Sequence, residues 1–354
     1  MPLVDRVNIM SYDLVNGYSK VTGHHTPLFS TKKDEESTDK AVSYLLKLGI
    51  PAKKLVIGAA FYTRIWKEVS NIFPGKGGYL MTNSLRRGSV AIVGAAESEL
   101  GLCAPGTTPY DLMAQATYRA LADCGLQLND IDGVFTATSL ARFSSLGLCE
   151  YLGLKPRYQD NTQMGGSSFM SHVAHAMAAI NNGLCEVALI AYGSTQKSVS
   201  RAAASPREYN AYETPYKPFL PTSAYAMVAA RHMYQYGTTR EQLAEVAVAA
   251  RQWALMNPVA WEKKPLSIDE VMSARMVSSP LTIRDCCLVT DGGGAIILTS
   301  AARAKDLKKG PAYILGVGED LSHIGISGMP DLTVSGAAIS GPKAYAMAGI
   351  THRD

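Results

Sequence analysis

The 354-residue sequence lacks several features that would place it in a familiar class. It has six cysteines but no C-x-x-C pair, so neither a zinc site nor a disulfide framework is indicated, and a reducing, cytoplasmic environment is expected. No apolar run approaches about 18 residues, so no membrane span is predicted. The N-terminus has no basic start followed by an apolar run, so no signal peptide is expected. No basic stripe with interleaved aromatics is present, so nucleic acid is not an expected partner.

What is present indicates a globular protein of two parts. Hydrophobic residues make up 47% and charged residues 18% of the chain, which is typical of a protein with a large core. Residues 73–80, Phe-Pro-Gly-Lys-Gly-Gly-Tyr-Leu, predict a flexible linker or seam between segments 1–72 and 81–354. Lys76–Gly78 can alternatively be encoded by a ribosome-binding sequence, with Met81 a start codon read through in frame. The sequence therefore leaves two alternatives, a natural fusion of the two segments or an artefact.

The first segment has the pattern of one βαβ unit. Val7–Tyr12 and Leu55–Phe61 are short apolar runs that predict buried strands. Ser37 or Thr38 can cap a helix that runs to about Leu48. A strand, a helix and a parallel strand make a single βαβ unit.

Five motifs in order give this segment a specific resemblance. They are Asn8-Ile9-Met10-Ser11-Tyr12-Asp13, Gly23-His24-His25-Thr26-Pro27-Leu28, Gly49-Ile50-Pro51, Lys54-Leu55-Val56-Ile57-Gly58 and Tyr62-Thr63-Arg64. The segment resembles the glycoside hydrolase family 18 chitinases, which are TIM barrels. The resemblance implies that Met10, Tyr12 and Asp13 face the N-acetyl sugar of the substrate. It also implies that Tyr62 and Arg64 line the same mouth.

The residues needed for sugar cleavage are nevertheless missing from the sequence. The family takes its catalytic acid from the Glu of a D-x-x-D-x-D-x-E run, and no such run occurs in this chain. Two strands also cannot close an eight-stranded barrel. We therefore expect a partial TIM-barrel fragment without sugar chemistry, although a chitinase-like glycosidase is the alternative.

The second segment alternates strand and helix patterns, which predicts a mostly parallel, covered sheet. The predicted strands are Ser89–Ala95, Asp130–Phe135, Val187–Tyr192, Ala295–Thr299 and Pro311–Val317. The predicted helices are Pro109–Cys124, Ser168–Asn182, Thr222–Tyr236, Thr239–Met256 and Ala301–Leu307.

This segment resembles the thiolase superfamily, nearest its sterol-carrier-protein-type branch. The matching residues include Ala91–Gly94, Ala122–Leu126, Asp130–Gly133, Ala178–Ile180, Tyr192–Ser194, Tyr236–Ala244, Asn257-Pro258, Asp285-Cys286 and Asp291–Ala295. The resemblance implies a layered αβαβα fold, a homodimer, and a coenzyme A thioester as substrate with no covalently bound cofactor.

The position of the family's nucleophile is the main departure. A thiolase uses a cysteine thiolate at the start of a buried helix, where the helix dipole favours the negative charge. Counting back from Ile180 places that position at Gly166, and no cysteine lies within fifteen residues on either side. Ser167 or Ser168 is a nucleophile only with a base beside it. Capping of the helix that starts at Ser168 is the other interpretation of both serines.

The resemblance also implies late catalytic residues, a histidine near an H-D-x-F-like segment and then a cysteine with a G-H-P turn. The sequence ends at Asp354 before either. We therefore expect a truncated second half of the fold, with no assembled acyl-transfer site.

Three further groups are weaker candidates. His172 and His175 lie three apart on one helix, but without a third ligand packing is the better explanation and no metal is predicted. Cys286 and Cys287 invite a nucleophile reading, whereas a buried structural thiol is the favoured interpretation. Tyr192 and Tyr225 are the candidates for substrate contact. Tyr225 belongs to a tyrosine group with Tyr209, Tyr212 and Tyr216, which packing also explains.

The hypothesis is a thiolase-like protein of acyl-CoA and lipid metabolism, of acyltransferase or retro-aldolase ancestry, inactive as this chain. The resemblance also implies relatives that lack the cysteine. These include retro-aldolases, which often have a small zinc-ribbon/OB-fold partner. The alternative from another class is a non-catalytic acyl-CoA-binding subunit.

Overall fold

The computed structural model describes residues 7–10, 38–47, 55–58, 84–199 and 211–354. The chain divides into two compact units, Met1–Asn83 and Ser84–Asp354. The first unit contains strand β1 (Val7–Met10), helix α1 (Thr38–Lys47) and strand β2 (Leu55–Gly58). The two strands pair in parallel, as a βαβ unit requires. The seam 73–80 lies outside the described residues.

The second unit is built from eight strands and eight α-helices among its described residues. The strands are β3 (Val90–Glu97), β4 (Gly133–Thr136), β5 (Tyr158–Asp160), β6 (Val187–Ser194), β7 (Met276–Ser278), β8 (Leu281–Thr282), β9 (Gly292–Ser300) and β10 (Ala312–Tyr313). The helices are α2 (Pro109–Cys124), α3 (Ser144–Leu152), α4 (Ser168–Asn181), α5 (Thr222–Tyr236), α6 (Arg240–Met256), α7 (Ile268–Met272), α8 (Ala301–Ala304) and α9 (Ala337–Ala348).

Six of these strands form one mixed sheet in the order β10-β3-β9-β6-β4-β5. Strand β4 is parallel to β5 and β6, whereas β9 is antiparallel to β3 and β6, and β10 is antiparallel to β3. The expectation of a mostly parallel sheet is therefore wrong. A parallel neighbour needs a crossover, usually one helix. The connection from β6 to β9 instead contains α5 to α7 and the β7–β8 hairpin. The alternation of strand and helix patterns in the sequence therefore did not determine the direction of β9.

The central sheet is covered on both faces, which gives the unit a helix–sheet–helix core. Leu189 and Ala191 of β6 pack in one cluster with residues of α2 and α3. Ala188 and Ile190 of the same strand pack in a second cluster with residues of α4. This alternation follows from the two-residue period of a strand, whose successive side chains point to opposite faces.

Helix α2 shows how local sequence fixes an element. Thr108 and Asp111 form a reciprocal capping box, and Pro109 occupies the first turn, where its missing N–H costs nothing. Gly125 ends the helix with a φ of 80°, a left-handed conformation that glycine adopts without strain. The predicted bounds of this helix are therefore confirmed.

Two predicted elements are shorter than expected. Helix α8 ends at Ala304 because the N–H groups of Asp306 and Leu307 bond back only three residues, to Arg303 and Ala304, as a tightened last turn. Strand β10 contains only Ala312 and Tyr313, at the edge of the sheet, where one side has no neighbouring strand among the described residues.

Candidate functional site

The turn before α4 holds the residues that the sequence marked as the nucleophile position. Ser168, the first residue of α4, is fully buried. Its hydroxyl accepts a hydrogen bond from the Met164 N–H at 2.8 Å and donates to the Gly165 carbonyl at 2.7 Å. The hydroxyl thus closes the turn that precedes the helix, and both of its hydrogen-bonding roles are used within that turn.

Gly166 and Ser167 are exposed at the start of the same helix. A Cβ placed on Gly166 would meet no heavy atom within 4 Å, and its φ is not left-handed. Ser167 is the N-cap residue, but its side chain makes no capping hydrogen bond. The position that would carry a thiolate is therefore open to solvent and has room for a side chain.

His172 lies one turn further along α4 and is completely buried. Its Nε2 is 3.0 Å from the Thr162 carbonyl oxygen, which can only accept, so Nε2 carries the proton. Nδ1 has no hydrogen-bond partner among the described residues. Burial lowers the pKa of His172, so the ring is neutral at pH 7.

His175 is held by Asp160, the last residue of β5. Its Nδ1 lies 2.5 Å from the Asp160 carboxylate, whose other oxygen accepts from the N–H and hydroxyl of Thr162. Burial opposes the charge on Asp160, but the hydrogen bonds from His175 and Thr162 hold its pKa well below the usual range. The same carboxylate raises the pKa of His175. Among the described residues no group of three His, Cys, Asp or Glu side chains could hold a metal ion.

The tyrosines named from the sequence lie in different environments. Tyr192 is half-buried on β6, with its ring 5.1 Å from the ring of Phe169 on α4. Tyr225 on α5 is 64% exposed, and Tyr212 and Tyr216 are 81% and 85% exposed. Packing therefore does not explain these three tyrosines, and Tyr209 lies outside the described residues. The contact with Phe169 places Tyr192, but not Tyr225, against α4.

Cys286 and Cys287 follow the turn after β8, and neither is buried. Cys286 is half-buried and Cys287 is exposed. The interpretation of a buried structural thiol is therefore wrong, because the core strand β9 begins only at Gly292. Asp285, just before them, accepts from the Thr282 N–H and pairs with Arg240 of α6.

Asp291 is a buried charged residue whose structural role sequence reasoning missed. It is fully buried, and its carboxylate accepts hydrogen bonds from the N–H groups of Cys103, Lys197 and Ser198 and from the Ser198 hydroxyl. Burial raises its pKa, but these donors outweigh burial and lower it. The charge is thus compensated, and Asp291 ties together three segments beside the end of β6. The Asp before three glycines was the available signal, although it indicated only a turn.

In the first unit, Met10 ends β1. Tyr12, Asp13, Tyr62 and Arg64 lie outside the described residues. No helix in the described part of the chain is long and apolar enough to cross a membrane.

Comparisons with known proteins find relatives of both segments. The 17-hydroxy-3-oxo-4-pregnene-20-carboxyl-CoA lyase of Mycobacterium tuberculosis is 30% identical over 75% of this chain and 73% of its own. A solved structure titled Ltp2-ChsH2(DUF35) aldolase is similar with a TM-score of 0.66 and 28% identity, covering 75% of this chain and 71% of that one. The mouse oviduct-specific glycoprotein is 46% identical over 71 residues, 19% of this chain and 10% of its own.

The family description "Glycosyl hydrolases family 18" matches residues 1–208. Within the described residues from 84 onward, that range covers β3 to β6, and these strands belong to a sheet in which β9 runs antiparallel to two of them. A TIM barrel has only parallel strands, so this part of the matched range does not have the barrel architecture. The chain belongs to the thiolase superfamily, and its N-terminal segment carries the glycosyl hydrolase family 18 relationship.

Proposed function

We propose that this chain binds an acyl-CoA thioester and forms no covalent acyl intermediate, and that, contrary to the inactivity expected from the sequence, it supports retro-aldol cleavage. The observation that carries the proposal is the exposed glycine at position 166, where the family's thiolate would stand. The neighbouring Ser168 hydroxyl is engaged on both sides, so it does not replace the missing sulfur. The names of the two thiolase-like relatives, a CoA lyase and an aldolase, support this choice of reaction.

Retro-aldol chemistry suits a site without a nucleophile. In a β-hydroxyacyl thioester a base removes the hydroxyl proton, and the bond between the α and β carbons breaks. The electron pair remains on the α carbon as a thioester enolate, the β carbon leaves as a carbonyl compound, and the α carbon is then protonated. These steps require a proton acceptor and a group that stabilises the enolate oxygen. The positive end of α4, open at Gly166, can supply part of that stabilisation.

The proposal is tested by separating covalent chemistry from bond cleavage. The chain is incubated with acetoacetyl-CoA and free CoA, and separately with a tertiary β-hydroxyacyl-CoA. We expect no acyl adduct by intact-mass spectrometry, no thiolysis, and a ketone product only from the second substrate. Thiolysis of acetoacetyl-CoA, or an acyl adduct on the chain, would contradict the absence of a nucleophile.

The cleavage assay is run with and without a small zinc-ribbon/OB-fold protein, because the name of the similar aldolase includes a second component, ChsH2. We propose such a partner, a homodimer and a cytoplasmic role in lipid metabolism for this chain as well. Co-purification of the two proteins and a light-scattering mass test the assembly. A monomer that does not retain the partner would contradict this part of the proposal.

A non-catalytic acyl-CoA-binding subunit is the second candidate, and the unsubstituted position 166 favours it equally. Calorimetry with acyl-CoA distinguishes the two, because binding without ketone release in the presence of the partner indicates the subunit. For the N-terminal segment we propose no sugar chemistry, since the chain lacks the acidic run of family 18. Release of fluorophore from a fluorogenic chitobioside would contradict that.

A further inference from the structure

The six cysteines differ sharply in accessibility, and all of them lie within the described residues. Cys124, Cys149 and Cys185 are buried, and burial raises the pKa of Cys149 to about 11 and of Cys185 to about 12. Burial also raises the pKa of Cys124 and, with the nearby Asp291 carboxylate, of the half-buried Cys103. Because the thiolate is the reactive form, the three buried thiols are shielded from soft electrophiles, and the half-buried Cys103 is less readily ionised than an ordinary thiol.

Cys286 and Cys287 are adjacent in the chain and neither is buried, although Cys286 is only partly exposed. The Cys286 thiol donates to the Thr282 carbonyl at 3.5 Å, and Cys287 is exposed. The turn before them is fixed, because the Asp285 carboxylate accepts from the Thr282 N–H and hydroxyl and pairs with Arg240. Residues 287–290, which follow, contain no regular secondary structure. The two sulfurs therefore sit between an anchored turn and a segment free of ladder hydrogen bonds.

We propose that Cys286 and Cys287 form a vicinal dithiol site that binds a trivalent arsenical through both sulfurs. Adjacent Cα atoms lie about 3.8 Å apart across a trans peptide. Disulfide-bonded cysteines usually have Cα atoms about 4.4–6.8 Å apart, so a direct sulfur–sulfur bond between neighbours is strained. A bridging atom lets the sulfurs stay further apart, so this pair suits a bridging soft ligand better than a disulfide.

The binding step is a condensation and not a redox reaction. An organoarsenic(III) oxide loses its oxygen as water while two S–H bonds break and two As–S bonds form. Both thiol protons leave in the water molecule, and arsenic and sulfur keep their oxidation states. Once the first As–S bond has formed, the second thiol is held near the arsenic at a high effective concentration. The pair should therefore bind the arsenical about 10²–10⁴-fold more tightly than a single thiol.

The probe is phenylarsine oxide, added in slight excess to the full chain under reducing conditions. Intact mass should show one adduct per chain, and peptide mapping should locate it on the peptide that holds both cysteines. Excess 2-mercaptoethanol should leave the adduct in place, whereas 1,2-ethanedithiol should remove it. C286S and C287S should each lower the affinity by about 10²–10⁴-fold, and C103S should leave it unchanged.

Two results would overturn the proposal. One is an adduct that keeps its affinity in C286S or in C287S, since a single thiol would then suffice. The other is mapping of the adduct on the wild-type chain to Cys103 or to a buried cysteine. Thermal unfolding of each variant checks that the fold is intact, and the wild-type map decides the question even where a variant unfolds.

Discussion

Introducing a cysteine at position 166 tests whether only the sulfur is missing from the start of α4. A Cβ at Gly166 has no heavy atom within 4 Å, and the backbone there does not need glycine. Gly166→Cys should therefore fold like the wild type. Gly165→Cys is the conformational control, because Gly165 has a φ of +75°. A non-glycine residue in the left-handed region costs about 1–2 kcal/mol.

The size of the effect follows from the helix terminus. A negative charge near an exposed helix N-terminus is stabilised by about 0.3–1 kcal/mol. Since one pKa unit corresponds to about 1.36 kcal/mol, the pKa of the introduced thiol should fall by about 0.2–0.7 units. Below that pKa, the thiolate fraction of the Gly166→Cys side chain should then be about two- to fivefold larger than that of an ordinary exposed cysteine.

The matched control is Gly310→Cys, which is equally exposed and unobstructed but lies between α8 and β10, away from any long helix start. Iodoacetamide alkylation of both variants is followed from pH 6 to 9 by peptide mass spectrometry, which separates the new thiol from native cysteines. Acetoacetyl-CoA is then added to each variant. Because no acyl-transfer site is expected to be assembled, an acyl adduct should form only slowly, faster on Gly166→Cys than on the control in proportion to its larger thiolate fraction.

An alkylation profile of Gly166→Cys that coincides with that of Gly310→Cys would refute the argument from the helix terminus. An acyl adduct that forms equally on both variants would refute the proposal that position 166 lies in an acyl-CoA site. Either result leaves the wild-type prediction intact, because the wild type has no sulfur at that position in any case.

Three further predictions concern stability. Asp160→Asn should lower the NMR-measured pKa of His175. The pKa of His175 is raised and that of Asp160 is lowered, so this pair stabilises the fold fully between about pH 4 and 6.5 and less on either side. The variant should therefore lose about 1 kcal/mol of unfolding free energy near pH 5.5. Asp291→Ala should lower the urea-measured free energy of unfolding by about 1–3 kcal/mol, because three partly buried N–H donors lose their acceptor. Gly193→Ala should lower the free energy of unfolding by about 1–3 kcal/mol, and so the melting temperature, because its Cβ would lie 2.2 Å from the Pro109 carbonyl oxygen. Gly294→Ala should not lower the melting temperature in the same way, because the nearest atom to its Cβ would be 3.8 Å away. An unchanged pKa of His175 in Asp160→Asn would contradict the first prediction. A wild-type urea midpoint for Asp291→Ala would contradict the second, and equal melting temperatures of Gly193→Ala and Gly294→Ala would contradict the third.

Elements with strong local signals were predictable from the sequence. Helix α2 has a capping box, a first-turn proline and a terminal glycine, and α5 ends at a glycine, so the bounds of both were correct. Helix α9 also ends at a glycine, Gly349, but Pro342 lies inside it and removes one backbone donor, so its local signals conflict. The direction of β9 was not predictable, because pairing between distant strands is decided by tertiary packing.

The candidate site divides in the same way. Gly166 was located by counting along a family pattern, which needs no geometry. The partners of the buried Asp291 were not, because backbone donors from distant segments leave no trace in residue type. The vicinal cysteines were visible, but their exposure depends on where β9 begins.

Some glycines of the second unit are required by close packing, whereas Gly166 is not. A Cβ on Gly94 or Gly193 would lie 2.3 Å or 2.2 Å from a backbone carbonyl oxygen, so helix α2 could not approach the sheet as closely with larger residues there. A Cβ on Gly166 would touch nothing, so its lack of a side chain serves no packing purpose. Packing therefore neither requires nor excludes a side chain at 166. Because the fold is indifferent to this position, the family relationship of the chain and its proposed reaction must be tested separately.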